Sequence, residues 1–229
     1  MKKLVVLSGA GISAESGIMT FRDMGGLWEN YDIMEVASPQ GWERDAELVN
    51  NFYNERRKQL LDCEPNNGHK GLVELEKYFN VEIVTQNVDD LHERAGSSKI
   101  LHLHGELKKV CSTHNHNLVY ELDGWELKIG DMCDDGYQLR PYIVWFGEAV
   151  PAIADAAEIF QDADICVVIG TSLNVYPAAG LLNYLPTNTP IYLIDPNETM
   201  VRQTENITFI KEKAGVGIEK LKNILLRKE

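Results

Sequence analysis

Several polar groups in this chain stand directly behind apolar runs, where their side chains are free to meet a ligand. Gln86-Asn87-Val88-Asp89 follows the extended run at 81–85 and brings two amides and a carboxylate to its end. A capped turn is the plainer reading, since Asn and Asp also start helices well. Gly170-Thr171-Ser172 follows the run at 165–169, and two small hydroxyl residues beside a glycine suit ribose or phosphate oxygens. Leu193-Ile194-Asp195-Pro196-Asn197 closes another run with acceptors suited to adenosine hydroxyls. His104, beside Gly105, offers an exposed imidazole able to take a proton near neutral pH, whereas His102 reads as structural.

A glycine loop completes the set. The run at 4–7 feeds Gly9-Ala10-Gly11, and Ala14 closes the pattern G-x-G-x-x-A before a polar, helix-like segment. Gly9 is expected to take backbone angles that a Cβ forbids, and Gly11 to let the main chain approach a pyrophosphate. The helix that follows would offer unpaired N–H groups to its charge. A hydride-transfer enzyme would next show a second strand ending in Asp or Glu about 20 residues on. Residues 24–50 show scattered aromatics, Pro39 and several glycines instead. The loop therefore serves other chemistry.

The elements that must position these groups are legible as apolar, β-branched runs at 4–7, 81–85, 165–169 and 190–194, with a fifth at 206–210. Helical patterns at 68–79, 152–161, 177–185 and 217–227 separate or follow them. That alternation predicts an α/β fold, a Rossmann-like doubly wound parallel sheet over 1–23, 67–106 and 143–229. Residues 24–66 and 107–142 break the rhythm and predict a smaller inserted lobe. The first of these carries a helix around 45–61 with Leu48, Phe52, Leu60 and Leu61 apolar; the second is short, polar and glycine-broken. Packed beside the sheet, the lobe would form a ligand cleft.

Composition narrows the partners. The 229 residues are 44% hydrophobic and 25% charged, as in a globular protein of one sizeable domain. A net charge of −13 argues against nucleic acid, which needs clustered Lys and Arg, and leaves basic peptides compatible. The N-terminus fits neither a signal peptide nor a membrane span, so a cytoplasmic location is expected. Cys63, Cys111, Cys133 and Cys166 are too scattered for a disulfide scaffold. Cys166, inside an apolar run, reads as core.

Taken in order, GAGISAESGI with TFRD, TQNVDDLH, HLHG, VWFGE at 144–148, GTSLNVYPA and Lys213-Ala214-Gly215 give the chain a resemblance to the sirtuins. The resemblance covers nearly its whole length. Sirtuins are NAD-dependent protein-lysine deacylases that release nicotinamide and O-acyl-ADP-ribose. The resemblance implies His104 as the base that deprotonates a ribose hydroxyl and Asn87 as the residue that orients ribose and water. It places Asp89 at the nicotinamide amide and Gln86 at the ribose. Gly9, Ala10 and Gly11, with Phe21 and Arg22, would close over the cofactor. Gly170, Thr171, Ser172, Asp195, Asn197 and Ala214 would line its adenosine side. Val144, Phe146 and Gly147 would belong to a strand that pairs with an acyl-lysine peptide or protein by β-augmentation; a core strand with an exposed Glu148 is the bland alternative.

Tyr53 and Arg56 lie three apart, on one face of a helix. They match the Y-x-x-R pair of the class III branch, which recognises succinyl- or malonyl-lysine. A guanidinium and a phenol suit a carboxylate at the bottom of an acyl tunnel, and the small Ala37 would widen it. A solvated Arg on a charged helix is the simpler alternative. Most sirtuins also hold a structural zinc on two C-x-x-C pairs. Here Cys111 and Cys133 alone keep thiols, with His114 or His116 and Asp135 as substitute ligands, so zinc is either bound by a mixed set or absent. Two rival functions share the motifs: mono-ADP-ribosyl transfer to protein, and a non-catalytic NAD or ADP-ribose sensor.

Overall fold

The computed structural model describes residues 1–18, 31–171, 173, 176–197 and 206–227. In chain order the elements are strand β1 (Lys3–Ser8), helices α1 (Ile33–Val36), α2 (Pro39–Arg44), α3 (Ala46–Leu61) and α4 (Asn67–Leu75), then β2 (Asn80–Thr85), α5 (Leu91–Ala95) and β3 (Ile100–His102). There follow β4 (Gly105–Ser112), β5 (Val119–Glu121), β6 (Leu139–Ile143), α6 (Ile153–Gln161), β7 (Ile165–Ile169), β8 (Ile191–Ile194), β9 (Ile207–Ile210) and α7 (Ala214–Leu226).

Six strands form a parallel sheet in the order β3-β2-β1-β7-β8-β9, so the chain order reverses between β1 and β7. Alternate side chains of the central strands enter opposite cores, which is why these runs are apolar throughout. Leu4, Val6, Val167 and Ile169 meet Leu72 and Leu75 of α4 and Ile218 and Leu221 of α7. Val5, Leu7, Cys166 and Val168 meet Ala156 and Phe160 of α6. Each fully buried Leu, Val or Phe contributes roughly 1.5–3 kcal/mol. Cys166 is a core residue, and burial pushes its thiol pKa up to about 12.

Beside this sheet, β5-β4-β6 form an antiparallel sheet of three strands. Helix α3 packs against it: Val49, Phe52, Tyr53 and Leu60 share a third core with Val36, Ala37, Leu107, Ile143 and Trp145. Asp45 caps the helix by accepting from the Leu48 N–H at 2.9 Å. Leu61, expected on the apolar face, is 59% exposed, because the buried face runs through 49, 52, 53, 57 and 60.

Several expectations need adjustment. The helix expected over 68–79 ends at Leu75, and that over 177–185 is a 3-10 segment, Ala178–Tyr184. Strand β3 has three half-buried residues and leaves no alternation to read. The segment at 144–148 is not a strand: β6 ends at Ile143, and Glu148 folds back to accept from the Trp145 N–H at 2.7 Å. Among the described residues no helix is long and apolar enough to cross a membrane.

Candidate active site

Because the sheet is parallel, β1, β2, β3, β7 and β8 all deliver their following residues to one edge, and the point of reversal between β1 and β7 is where such sheets take ligands. The glycine loop lies there. Gly9 N–H donates to the Ile169 carbonyl at 3.1 Å, and Gly11 N–H to that of Gly170 at 2.8 Å. Gly9 has φ −137 and ψ −177, extended angles open to any residue, which corrects the expected reason for the glycine. What it needs is space, since a Cβ would come within 2.7 Å of the Thr171 Cβ. The left-handed residue is Gly170, with φ +65 and a would-be Cβ 2.2 Å from the Ile12 nitrogen. The loop continues as two 3-10 turns, Ala10–Ile12 and Ala14–Ser16, rather than the expected helix. Asn66, the cap of α4, pins them by donating to the Ile12 carbonyl at 2.7 Å and to Ser16 Oγ at 2.8 Å.

Gln86 bridges the strand ends. Its N–H donates to the Ser8 carbonyl at 2.9 Å, and its amide Nε2 to Thr171 Oγ1 at 3.1 Å. Next to it, Ser13 Oγ accepts from Asn87 Nδ2 at 3.1 Å and donates to Asp89 Oδ2 at 3.0 Å. All three residues are buried. Burial raises the Asp89 pKa, opposed by the bonds from Leu91 N–H and Ser13.

His104 reaches the same edge because Leu103 extends the pairing of β3, its N–H donating to the Thr85 carbonyl at 2.9 Å. Gly105 follows with φ +82, and a Cβ there would stand 2.1 Å from the Tyr142 carbonyl oxygen. His104 Nδ1 lies 3.0 Å from the Gln86 carbonyl. That oxygen only accepts, so Nδ1 carries the hydrogen and Nε2 the lone pair. Among the described residues Nε2 has no partner. The ring is half-buried rather than open to solvent as expected, and burial lowers its pKa. His102 is structural: Nδ1 meets the Asn87 carbonyl at 2.9 Å and Nε2 meets Glu93 Oε1 at 2.8 Å. Burial is the largest influence and works against its charge, but the bond and charge of Glu93, the Asn87 carbonyl and Glu106 together outweigh it, and the pKa is raised.

The segment at 144–148 runs between His104 and helix α3. Val144 N–H donates to the His104 carbonyl at 2.9 Å, and Phe146 N–H to the Ala37 carbonyl at 3.0 Å. Phe146 and Gly147 are exposed, with Gly147 at φ +93. Tyr53 is buried on α3, and its hydroxyl accepts from Trp145 Nε1 at 3.1 Å. The Arg56 guanidinium lies 5.9 Å from the Tyr53 ring centroid and 5.6 Å from that of Phe52. Burial lowers its pKa, while Tyr53 and Asp89 oppose that shift.

Other expected residues stand further off. Asp195 accepts from Asn197 N–H at 2.8 Å, but among the described residues neither bonds to the Gln86–Thr171 group. Ala214 is buried at the start of α7, whose Gly215 N–H donates to Glu15 Oε2 at 2.8 Å. Phe21, Arg22 and Ser172 lie outside the described residues. Ser13 and Trp145 were not singled out from the sequence. For Ser13 the one available signal is a hydroxyl inside G-x-G-x-x-A.

The residues around Cys111 and Cys133 do not fit a zinc ion. No group of three His, Cys, Asp or Glu side chains among the described residues could hold a metal. Burial pushes the Cys111 thiol pKa up to about 11. Cys133 Sγ donates to Asp135 Oδ1 at 2.5 Å, and His114 stacks on Tyr137 with centroids 4.2 Å apart.

Comparison with known proteins fits this geometry. An NAD-dependent protein deacylase of Bacteroides thetaiotaomicron is 58% identical over 231 residues, covering 99% of both chains. The crystal structure of a Sir2 homologue in complex with NAD superposes with a TM-score of 0.89 at 38% identity, covering 99% of this chain and 90% of the other. A mutant Sir2 homologue in complex with 2'-O-acetyl ADP ribose gives 0.88 at 38% identity, covering 99% and 93%. The model described as the Sir2 family matches residues 9–177. The fold is thus shared with Sir2 homologues over 99% of the chain, the family model spans the glycine loop and the strand ends, and the chain belongs to the Sir2 family.

Proposed function

We propose that this chain is an NAD-dependent protein-lysine deacylase that prefers acidic acyl groups and works on a Rossmann-like sheet with a small companion lobe. The observation that carries the reading is the pair of bonds that tie Val144 to His104 and Trp145 to Tyr53. They run a peptide-presenting segment from the base to the helix that carries Tyr53 and Arg56.

The residues fit the dinucleotide. Asp89 is a desolvated carboxylate with a raised pKa, a suitable partner for the N–H of a carboxamide. Gly9, Ala10, Gly11, Phe21 and Arg22 would hold the pyrophosphate side. Gln86 and Asn87 would hold the nicotinamide ribose. Gly170, Thr171, Ser172, Asp195, Asn197 and Ala214 would hold the adenosine. When bound, NAD supplies a nicotinamide–ribose bond whose cleavage exposes a sugar carbon to the acyl oxygen. His104 would accept a ribose hydroxyl proton at Nε2 while the Gln86 carbonyl holds Nδ1–H. Val144, Phe146 and Gly147 would pair with the substrate backbone, so that one catalyst accepts many protein tails. Arg56 and Tyr53 would bind the acyl carboxylate, where a neutral acetyl group would leave the guanidinium poorly used.

The test is mass spectrometry of succinyl-, malonyl- and acetyl-lysine peptides with and without NAD. Release of nicotinamide and O-acyl-ADP-ribose with all three, fastest for the acidic peptides, is expected. Turnover without NAD, or none on any peptide, refutes the reading. Label on protein would point to ADP-ribosyl transfer, and binding without nicotinamide release to a sensor. Arg56→Met should lose succinyl activity far more than acetyl activity.

A further inference from the structure

Tyr53 is 1% exposed, and the one hydrogen bond to its hydroxyl comes from Trp145 Nε1 at 3.1 Å, among the described residues. An indole N–H donates and cannot accept, so in this bond the phenol oxygen is the acceptor. The phenol's own hydrogen is therefore directed elsewhere.

The indole is held so that it cannot turn from this task. Trp145 is 2% exposed, with the Arg140 guanidinium 3.4 Å from its ring centroid and the Trp42 ring at 5.7 Å. Arg140 is fixed in turn by Glu148 at 2.7 and 3.2 Å and by the Ile143 carbonyl at 2.8 Å. Glu148 Oε2 also accepts from the Trp145 N–H at 2.7 Å. This closed turn is the one whose backbone reaches His104 and Ala37. It connects the peptide-presenting segment to the acyl-recognition helix through a single directional bond.

We infer that Trp145 is a positioning residue for acyl selectivity, whose N–H occupies the acceptor side of the Tyr53 hydroxyl and leaves the phenol as a donor to the carboxylate of an acidic acyl chain. This rests on the reading that Tyr53 and Arg56 bind that carboxylate. A succinyl or malonyl group gives the phenol hydrogen a charged acceptor, whereas an acetyl group leaves it without a partner in a buried place. A site built to make a hydrogen bond discriminates against the ligand that lacks it. Burial pushes the Tyr53 pKa up to about 12, so the donor hydrogen is kept throughout the physiological range.

The experiment measures steady-state kinetics on succinyl-, malonyl- and acetyl-lysine peptides for the full chain and for Trp145→Phe, Tyr53→Phe, their double variant and Arg56→Met. Trp145→Phe should raise KM for the acidic peptides about tenfold with kcat within about twofold, so that the succinyl-to-acetyl ratio of kcat/KM falls about tenfold. The double variant should fall no further than Tyr53→Phe alone. Equal losses on acidic and acetyl peptides, or losses that multiply in the double variant, would overturn the inference. Should Trp145→Phe fail to fold, benzothienylalanine at 145, which replaces the N–H by sulfur in the same shape, decides by the same ratio. If Arg56→Met leaves the ratio at its parent value, the acidic-acyl reading itself fails. If Arg56→Met collapses the ratio and the Trp145 variants do not, only the role of Trp145 fails.

Discussion

His104 Nδ1 stands 3.0 Å from the Gln86 carbonyl, and this bond decides which nitrogen of the ring is basic. With Nδ1 committed as a donor, Nε2 must carry the lone pair. Burial lowers the ring's pKa, opposed by the same carbonyl. A base acts in its neutral form, so in the proposed role a lowered pKa would keep His104 available as pH falls. Deacylation kcat should stay flat through neutrality and drop only below about pH 6.5. His104→Ala should lower kcat by about 10²–10⁴ and remove the acid limb. An acid limb well above that pH, or one that survives in the variant, would exclude His104 as the base.

Ser13 Oγ joins two residues proposed to hold the dinucleotide, accepting from Asn87 at 3.1 Å and donating to Asp89 at 3.0 Å. Removing the hydroxyl strips Asp89 of a donor and Asn87 of an acceptor where neither reaches water. A buried group left unpaired costs about 1–3 kcal/mol. Ser13→Ala should therefore weaken NAD binding about tenfold by calorimetry. Affinity unchanged from the parent would mean that Asn87 and Asp89 hold their positions without it.

What the sequence discloses follows from distance along the chain. The runs at 4–7 and 165–169 are readable because parallel strands buried on both faces must be apolar throughout. Strand β4 hides its nature: Leu107 and Val110 face inward while Lys108 and Lys109 face out, and its register with β6 shifts between Gly105 and Val110. Motif residues such as Asn87 and His104 sit at strand ends, where local order announces them. Ser13 and Trp145 act through bonds to residues 74, 76 and 92 positions away, and no local spacing encodes such partners. Gly9 shows the reverse case, a glycine correctly marked as special but required for clearance from Thr171 rather than for its angles.

The connection between β5 and β6 is fastened to α3 by Asn54. Its Nδ2 donates to the Leu127 carbonyl at 2.9 Å, and its Oδ1 accepts from Leu127 N–H at 2.9 Å and from Arg57 Nη1 at 2.6 Å. Arg57 Nε adds a bond to the Leu107 carbonyl at 2.6 Å. Given the poor fit around Cys111 and Cys133, this contact rather than a metal should set stability. Asn54→Ala strands three buried partners and should cost about 3 kcal/mol in urea unfolding. Chelation of the parent protein should leave its midpoint unchanged, and mass spectrometry of the native protein should find no stoichiometric zinc. A midpoint that drops on chelation would contradict this.

His69 and His92 form a buried pair, with ring centroids 5.0 Å apart. Among the described residues His69 Nε2 and His92 Nδ1 have no partner. Burial drives the His69 pKa down to about 4 and that of His92 well below its usual value. Unfolded, both rings bind a proton near pH 6.5, whereas the native state refuses it. The stability they permit is thus complete above about pH 6.5 and declines as pH falls towards 4, by about 3 kcal/mol for His69 alone. His102, whose pKa is raised by Glu93, acts oppositely and stabilises the fold at low pH. The informative quantity is therefore the difference between two proteins. Urea unfolding of the parent and of His69→Asn, followed from pH 7.5 to 4, should give a shallower loss of stability for the variant. Parallel curves would show that the native His69 ring is not kept neutral by its surroundings.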